Sequence, residues 1–316
     1  MNNNKILVDC SFIAYLLFYR DKTLTEDNLA SAILGDFMKV VLELGQKFET
    51  NAFYFCFDDK GSYRKELYPG YKDRDTTEDR AKERKLVHQT LQLMPEFLTN
   101  MGFRNCVKLD RLEGDDLIAK LCQQDQLSNI IMIVNDHDLC QMLAGNVIRH
   151  NPFTNKTDTY ESFTTEFGIT PDRYWEVMRL AGCVTDKVAG IKGIGEGTAF
   201  KYVAGEKISK ARLQKIEEAD PEEVALWELL TRLPFRGTPD IPVYENKFSY
   251  KGFMAECNRY LLDEHIENYE DERGELCLFK QWIKFFQGKF DTVTKIVKPV
   301  AVKTVISKQL KVHKRK

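Results

Sequence analysis

Acidic residues recur at places where they could form one site. The segment Glu113-Gly114-Asp115-Asp116 puts three carboxylates within four residues, directly before an apolar run. Other acids follow apolar, strand-like runs or stand farther along the chain, namely Asp9, Asp58, Asp136, Asp138 and Asp186. Many carboxylates in one pocket repel one another and raise each other's pKa values, so their convergence requires cations. Oxygen ligands of this kind suit Mg²⁺ or Mn²⁺ better than zinc, which prefers histidine and cysteine.

A pair of divalent ions in such a pocket predicts a particular reaction. Two ions about 4 Å apart activate a water molecule and stabilise the leaving oxygen of an in-line phosphodiester displacement. Each acid taken alone has a simpler explanation as a solvated or capping residue, and acids are favoured in a first helical turn. The joint arrangement is harder to explain in this way, because three acids follow buried strands and three open one helix. His137 is interpreted as a neighbour of the site rather than a ligand.

The surrounding pattern is typical of an α/β protein. Strands are predicted at 5–8, 52–57, 106–109, 129–134 and 147–149, and helices at 27–48, 86–100, 113–124 and 171–182. Their alternation predicts a mainly parallel central sheet with helices on both faces. The carboxyl ends of parallel strands lie along one edge, where ligands bind. Asp9, Asp58 and Asp136 are therefore expected to meet there.

Three further segments stand apart from this alternation. Residues 60–85 lack aliphatic periodicity and are predicted to form an exposed insertion, whose tyrosines are either packing groups or base-stacking platforms. The glycine-rich hairpin 190–199 feeds a helix, and its backbone N–H groups can bind phosphate without reading a base. Residues 292–316 carry eight Lys or Arg and no acid, which is typical of a solvated tail. The alternative is that this tail contacts DNA or a replication protein.

These segments predict the domain organisation. The α/β domain is expected over residues 1–180, with the insertion at about 60–90. A helical region is expected over 181–291, followed by the basic tail 292–316.

Composition limits the class of protein. The chain has 316 residues, of which 43% are hydrophobic, so it can bury a large core. Its net charge of -2 means that any nucleic-acid binding must come from local basic patches. The eight cysteines form no C-x-x-C pair and are expected to be reduced thiols. With no apolar run of roughly 18 residues and no signal peptide, the protein is predicted to be soluble and cytoplasmic.

Six motifs, in order and over residues 5 to about 205, carry a family resemblance. They are Val8-Asp9, Phe57-Asp58, Tyr68-Pro69-Gly70-Tyr71-Lys72, Glu113-Gly114-Asp115-Asp116, Asn135-Asp136-His137-Asp138, and Asp186 placed seven residues before Gly193-Ile194-Gly195. With them the chain resembles the 5′ nucleases. This superfamily includes the 5′→3′ exonuclease domain of bacterial polymerase I, phage 5′ exonucleases of the ribonuclease H type, and cellular flap endonucleases.

The resemblance implies roles for individual residues. The metal ligands would be Asp9, Asp58, Glu113, Asp115, Asp116, Asp136, Asp138 and Asp186. Lys72, with Arg74, would stand near the scissile phosphate, and the insertion would be an arch that the 5′ strand threads. The hairpin would be a helix-hairpin-helix that grips duplex DNA, with a bound K⁺. The expected DNA contacts are Tyr71, Lys192, Gly193, Gly195, Gly197, Thr198 and Lys201.

Two positions depart from the family pattern. Where the family often has Gly-Asp-x-x-Asp, this chain reads from Gly182 through Cys183 to Asp186, so a cysteine replaces one acid at the second metal. Arg74 stands one place earlier than the arginine of the usual arch motif, and Asp75 occupies that place. The first departure weakens one metal site, and the second leaves Lys72 as the better match to the arch motif.

The resemblance predicts a metal-dependent 5′→3′ exonuclease and flap endonuclease in replication or repair. Its expected partners are DNA with a 5′ flap, a nick or an RNA primer, bound by a monomer. It would be a free-standing enzyme such as a phage replication nuclease, working in the host cytoplasm. Two alternatives stay open: a DNA-binding homologue with impaired catalysis, suggested by Cys183, and a PIN-type RNA nuclease, disfavoured by the hairpin after Asp186.

Overall fold

A six-stranded sheet lies at the centre of the computed structural model, which describes residues 3–21, 23–73, 77–266 and 278–290. The strands are β1 (Asn4–Asp9), β2 (Phe53–Cys56), β3 (Cys106–Val107), β4 (Asn129–Ile133), β5 (Val147–Asn151) and β6 (Lys156–Asp158). Their order across the sheet is β3-β2-β1-β4-β5-β6. All neighbouring pairs are parallel except β5 and β6, so the prediction of a mainly parallel sheet is confirmed.

The strand order reverses at β1, so that later strands lie on both sides of it. Strands β2 and β3 lie on one side of β1, whereas β4 and β5 lie on the other. In the register of the sheet, Val8 is opposite Phe55 of β2 and Ile133 of β4. A switch of this kind opens a crevice at the carboxyl ends of the two central strands, which is where open α/β sheets bind their ligands.

Helices cover both faces of the sheet, as predicted. They are α1 (Cys10–Arg20), α2 (Leu29–Lys47), α3 (Tyr63–Leu67), α4 (Glu78–Asn100), α5 (Gly114–Gln124), α6 (Tyr160–Phe167), α7 (Tyr174–Ala181), α8 (Glu196–Val203), α9 (Lys210–Glu217), α10 (Pro221–Thr231), α11 (Tyr250–Arg259), α12 (Asp263–Ile266) and α13 (Leu278–Phe286). Short 3-10 helices are present at Asp138–Met142 and Pro171–Arg173. Among the residues that the structure describes, no helix is both long and apolar enough to cross a membrane.

Alternate side chains of the strands build two separate cores. Ile6 and Val8 of β1 pack on the face that α1, α2 and α4 cover, and Leu7 packs on the face that α5, α7 and α8 cover. The late helices α11 and α13 belong to the first core, where Trp282 is fully buried. The predicted helical region 181–291 is thus shared between the two faces, because its earlier helices join the second core instead.

The insertion differs most from its prediction. Helix α3 packs against the rest of the protein, and α4 begins at Glu78 rather than near residue 86. Its first turn is capped by Thr77, whose side chain accepts the Arg80 N–H, and it carries two acids. Lysine, arginine, glutamate and alanine favour a helix without any apolar stripe. The exposed first half of α4 therefore has no aliphatic periodicity that could predict it from the sequence.

Smaller differences occur elsewhere. Helix α1 was not expected, and it begins directly after Asp9, which caps it. The segment after Thr159 forms a helix of its own, and the helix predicted from Pro171 starts as a 3-10 turn before α7. Helix α7 ends at Gly182, as predicted.

Candidate functional site

Three neighbouring strands deliver carboxylates to the crevice. Asp9 ends β1, and its Oδ1 accepts the Phe12 N–H at 3.0 Å. Asp58 follows β2 and is held by two donors, the Gly114 N–H at 2.8 Å and the Ser11 hydroxyl at 2.6 Å. Asp136 follows β4, and its Oδ1 accepts the Asp138 N–H at 2.9 Å. Each of these side chains is therefore fixed by a backbone donor at the same edge.

The acidic start of α5 sends its three side chains in different directions. Successive residues of a helix are about 100° apart around its axis, so they cannot all face one pocket. Glu113 turns to Lys72, with Nζ 2.6 Å from Oε2. Asp115 lies close to Asp136 and Asp9, whose charges act on it directly. Asp116 turns into the core.

Asp9, Asp58, Asp115 and Asp136 form the first group of acids. Burial raises the pKa of Asp9 to about 7, and the charges of Asp58 and Asp136 add to this effect. Burial also raises the pKa of Asp115 well above its usual range, with further contributions from Asp136 and Asp9. Among the described residues, Asp115 Oδ1 is buried without a hydrogen-bond partner. Surrounded by other acids, a buried carboxylate oxygen without a donor is free to coordinate a cation.

Asp138, Cys183 and Asp186 form the second group. One ligand atom of each residue lies within 4.8 Å of the others, which is compact enough for one metal ion. Burial raises the pKa of Asp138 to about 8, and Asp136 and Asp186 raise it further. Burial likewise raises the pKa of Asp186, although the nearby charge of Lys72 opposes the shift.

Two glycines close the loop that carries this second group. Gly182 and Gly190 have φ values of +76° and +64°, a region that favours glycine. A Cβ on Gly182 would lie 2.4 Å from the Val188 carbonyl oxygen, and one on Gly190 would lie 2.3 Å from the Gly182 nitrogen. Cys183 and Val188 exchange backbone hydrogen bonds inside the loop. The backbone thus fixes where Cys183 and Asp186 lie.

Lys72 brings a positive charge next to Glu113 and to Asp186 of the second group. Its Nζ is 2.6 Å from Glu113 Oε2 and 4.0 Å from Asp186 Oδ1, and its backbone N–H donates to the Asp186 carbonyl. Burial lowers the pKa of Lys72, but the charges of Glu113 and Asp186 outweigh it and raise the pKa above that of an ordinary lysine. Burial also raises the pKa of Glu113, and the charges of Lys72 and Arg64 more than reverse this.

Tyr71 does not lie where a DNA contact was predicted. Its side chain is only 2% exposed, so the ring cannot stack on a base. Its hydroxyl lies 3.2 Å from Glu113 Oε2 and 3.2 Å from Asp186 Oδ2. Tyr71 therefore helps to position two acids of the centre.

Asp116 is also displaced from its predicted place among the metal ligands. It is fully buried and forms a bidentate ion pair with Arg64, whose two terminal guanidinium nitrogens lie 2.6 and 2.7 Å from the carboxylate oxygens. The Phe235 N–H donates to the same carboxylate at 2.7 Å, and the Glu113 N–H at 3.3 Å. Since both oxygens of Asp116 already have donors, this side chain joins α3, α5 and the segment after α10 instead of facing the crevice.

The hairpin after Asp186 presents the predicted phosphate-binding surface. Lys192, Gly193, Gly195, Gly197 and Lys201 are exposed. Gly195 is the N-cap of α8, so the amino end of this helix is open to solvent. Thr198 is buried, which removes it from that surface. Arg74 and the basic tail 292–316 lie outside the described residues.

Comparison with protein families identifies this arrangement. A model of the 5′-3′ exonuclease, N-terminal resolvase-like domain, matches residues 4–168, more than half of the chain. The chain belongs to the 5′-3′ exonuclease family.

Curated relatives of this exonuclease family differ in length. The chain is 28% identical to a 5′-3′ exonuclease of Bacillus subtilis over 217 residues, which are 64% of this chain and 71% of the relative. It is also 28% identical to the thermostable DNA polymerase I of Thermus thermophilus over 226 residues, 69% of this chain. The match spans only 26% of that polymerase's length.

Solved structures share the fold of this chain. The T5 5′-exonuclease with bound divalent metal ions (zinc) superposes with a TM-score of 0.61 at 18% identity, covering 73% of this chain and 90% of the other. The catalytic core of Rad2 in complex with DNA substrate gives a TM-score of 0.53 at 16% identity, covering 82% and 88%.

Several residues around the acidic crevice and the hairpin were missed from the sequence. Ser11 and Ser62 donate to Asp58 and Glu113, and the second of these distances is 2.8 Å. Arg64 was hidden in a basic segment interpreted as exposed. Lys215 reaches the hairpin, with Nζ 3.4 Å from the Lys192 carbonyl. Only Ser11, two residues after Asp9, carried a signal in the sequence through its position.

Proposed function

We propose that this protein is a divalent-metal-dependent 5′→3′ exonuclease and flap endonuclease that acts on DNA. One observation carries the proposal: strands β1, β2 and β4 and helix α5 each bring a carboxylate to the crevice, where Asp115 Oδ1 is left without a donor. The names of the relatives support it, because they include a 5′-3′ exonuclease and the catalytic core of Rad2 in complex with DNA substrate.

The two groups of acids fit two divalent cations, Mg²⁺ or Mn²⁺. Asp9, Asp58, Asp115 and Asp136 would hold one, and Asp138 with Asp186 and Cys183 would hold the other. When bound, such ions act as Lewis acids on the phosphodiester and lower the pKa of a coordinated water. Glu113, already paired with Lys72, would take part through that lysine.

The side chains of the chain itself would position the substrate. The side chain of Lys72 is 37% exposed and would donate to an oxygen of the scissile phosphate. Glu113 would position Lys72 through their ion pair, and the Tyr71 hydroxyl would in turn position Glu113. Lys192, Lys201 and the amino end of α8 would contact the phosphates of the duplex, with K⁺ as a further ligand of the hairpin. The insertion would guide the 5′ strand toward Lys72.

The finer assignments follow from this function. The substrates would be DNA with a 5′ flap, a nick or an RNA primer, processed by a monomer in the cytoplasm during replication or repair. The tail 292–316 would add nonspecific DNA contact or bind a replication protein. The nuclease domain would be residues 1–180, and its arch at about 60–90 would thread the 5′ strand. The region 181–291 would bind the duplex.

A labelled 5′ flap tests the proposal. With Mg²⁺ or Mn²⁺, we expect cleavage by the wild type and a loss on the order of 10²-fold or more in Asp136→Ala, because a metal ligand contributes several kcal/mol. Asp172→Asn is the matched control, since Asp172 is an exposed acid on another part of the surface. Equal cleavage by all three proteins rejects the assigned centre.

A second candidate function is motivated by Cys183. A nuclease fold with one weakened cation site could bind DNA without cutting it. In the same assay, flap binding without cleavage by the wild type under any divalent cation favours this alternative. Cleavage of an RNA flap in preference to a DNA flap would instead favour a PIN-type RNA nuclease, which the hairpin at 190–199 disfavours.

A further inference from the structure

Cys183 gives the second group of acids a sulfur atom. Its Sγ lies within 4.8 Å of a carboxylate oxygen of Asp138 and of Asp186. The thiol is free and half-buried, and it lies 3.0 Å from the Thr185 hydroxyl. The loop that holds it is closed by the contact of Gly182 with Gly190. The sulfur is therefore held among the acids by the backbone.

The chemistry of these donors differs from that of the first group. Asp9, Asp58, Asp115 and Asp136 offer oxygen only, which suits the hard Mg²⁺ ion. A thiolate is a soft ligand, and Mg²⁺ takes oxygen ligands in near-ideal octahedral geometry. The affinity of nitrogen, oxygen and sulfur sites for divalent ions rises from Mn²⁺ through Co²⁺ to Cu²⁺ and falls again at Zn²⁺, and thiolate ligands favour the softer ions such as Zn²⁺.

We infer that Asp138, Cys183 and Asp186 bind a thiophilic divalent cation directly through the Cys183 sulfur, and that Cys183 disfavours Mg²⁺ at this site. The inference rests on the proposed function, because this is the second of its two cation sites. Coordination replaces the thiol proton by the ion, and the proton passes to solvent. The Thr185 hydroxyl is placed to orient the sulfur.

The first test uses Co²⁺, whose bond to a thiolate gives a charge-transfer band in the near ultraviolet. We expect a saturable band in the wild type and in Cys106→Ser, the matched control, because Cys106 is a partly exposed thiol of β3. The band should disappear in Cys183→Ser and Cys183→Asp. Melting temperatures establish that each variant is folded. A band that survives in folded Cys183→Ser overturns the inference.

The second test measures metal preference. The Cys183→Asp variant restores an all-oxygen site, so the ratio of Mn²⁺ to Mg²⁺ affinity should fall by about tenfold or more, since even outer ligand changes cost that much. Binding is measured by calorimetry on the whole protein, independently of cleavage. An unchanged ratio overturns the inference.

The two proposals fail in different ways. A wild type that cleaves the flap but gives no Co²⁺ band refutes the role of Cys183 and leaves the nuclease function standing. A wild type that gives the Cys183-dependent band but cleaves nothing supports the cation site and refutes the nuclease function.

Discussion

Asp115 and Asp116 are neighbours in the chain but belong to two opposite kinds of environment. Asp115 faces the crevice, where other acids surround it and one oxygen has no donor. Asp116 faces the core, where Arg64 and two backbone N–H groups satisfy both of its oxygens. The folded chain neutralises the second charge completely and leaves the first exposed to repulsion. The contrast separates a carboxylate that stabilises the fold from one that is kept available for a ligand.

The largest effect is expected when the buried ion pair between Asp116 and Arg64 is broken. Asp116→Ala removes the partner of Arg64, whose side chain is 4% exposed, and leaves a buried guanidinium unpaired. We expect the free energy of unfolding to fall by about 3–5 kcal/mol, the usual cost of breaking a buried ion pair. Urea unfolding measures it.

A double variant supplies the control for that change. Replacing both partners, as in Arg64→Met with Asp116→Leu, should recover much of the loss, because no charge is then left buried. A loss below about 1 kcal/mol in Asp116→Ala would show that the pair is not important for folding.

The next effect concerns the crevice side. Asp115→Asn should reduce flap cleavage on the order of 10²-fold, because a ligand of the proposed centre is lost. The same change should not weaken the metal-free protein, since it removes a charge that repels Asp136 and Asp9. Cleavage assays and urea unfolding in EDTA test both halves. A variant that is both active and less stable would contradict the contrast.

The smallest effect is a dependence on pH. The folded pKa of Asp9 is raised to about 7, so between pH 5 and 7 the folded state binds a proton that the unfolded state has lost. This contribution to stability is therefore lost as pH rises. Asp9→Asn keeps an oxygen for the Phe12 N–H and lacks the titration. Without metal, the free energy of unfolding of Asp9→Asn relative to that of wild type should increase by about 2 kcal/mol between pH 5 and pH 8.

The comparison of variant with wild type is essential for this measurement. Burial lowers the pKa values of His137, His150 and His265, so these residues make the protein more stable as pH rises through the same window. Their contribution cancels in the difference between the two proteins. If the difference in the free energy of unfolding stays constant between pH 5 and pH 8, Asp9 is not repelled by the other acids of the first group.

The sheet and its edge were predictable from sequence for a simple reason. Strands of a parallel sheet are buried on both faces, so they appear as continuous apolar runs, and the acids that follow them must share one edge. Asp9, Asp58 and Asp136 required nothing more. The directions of Asp115 and Asp116 required the partner of each side chain, and Arg64 is 52 residues away in the chain from Asp116.

The insertion shows the opposite limit. A basic, polar sequence gives no periodic signal, whether it is a solvated helix like the start of α4 or supplies a buried ion pair like Arg64. The replacement of an acid by Cys183 was visible in the sequence. Its closeness to Asp138 was not, because that distance depends on a loop closed by two glycines.

That glycine contact has a mechanical consequence. The backbone of Gly190, which opens the hairpin, touches the backbone that opens the Cys183 loop, and the Ile191 N–H donates to Leu180 next door. If the hairpin binds a duplex, the position of that duplex relative to the acids would therefore be fixed by main-chain contacts and not by mobile side chains. Under the proposed function, this fixed distance between the hairpin and the acids would determine which phosphate of the bound DNA lies beside them.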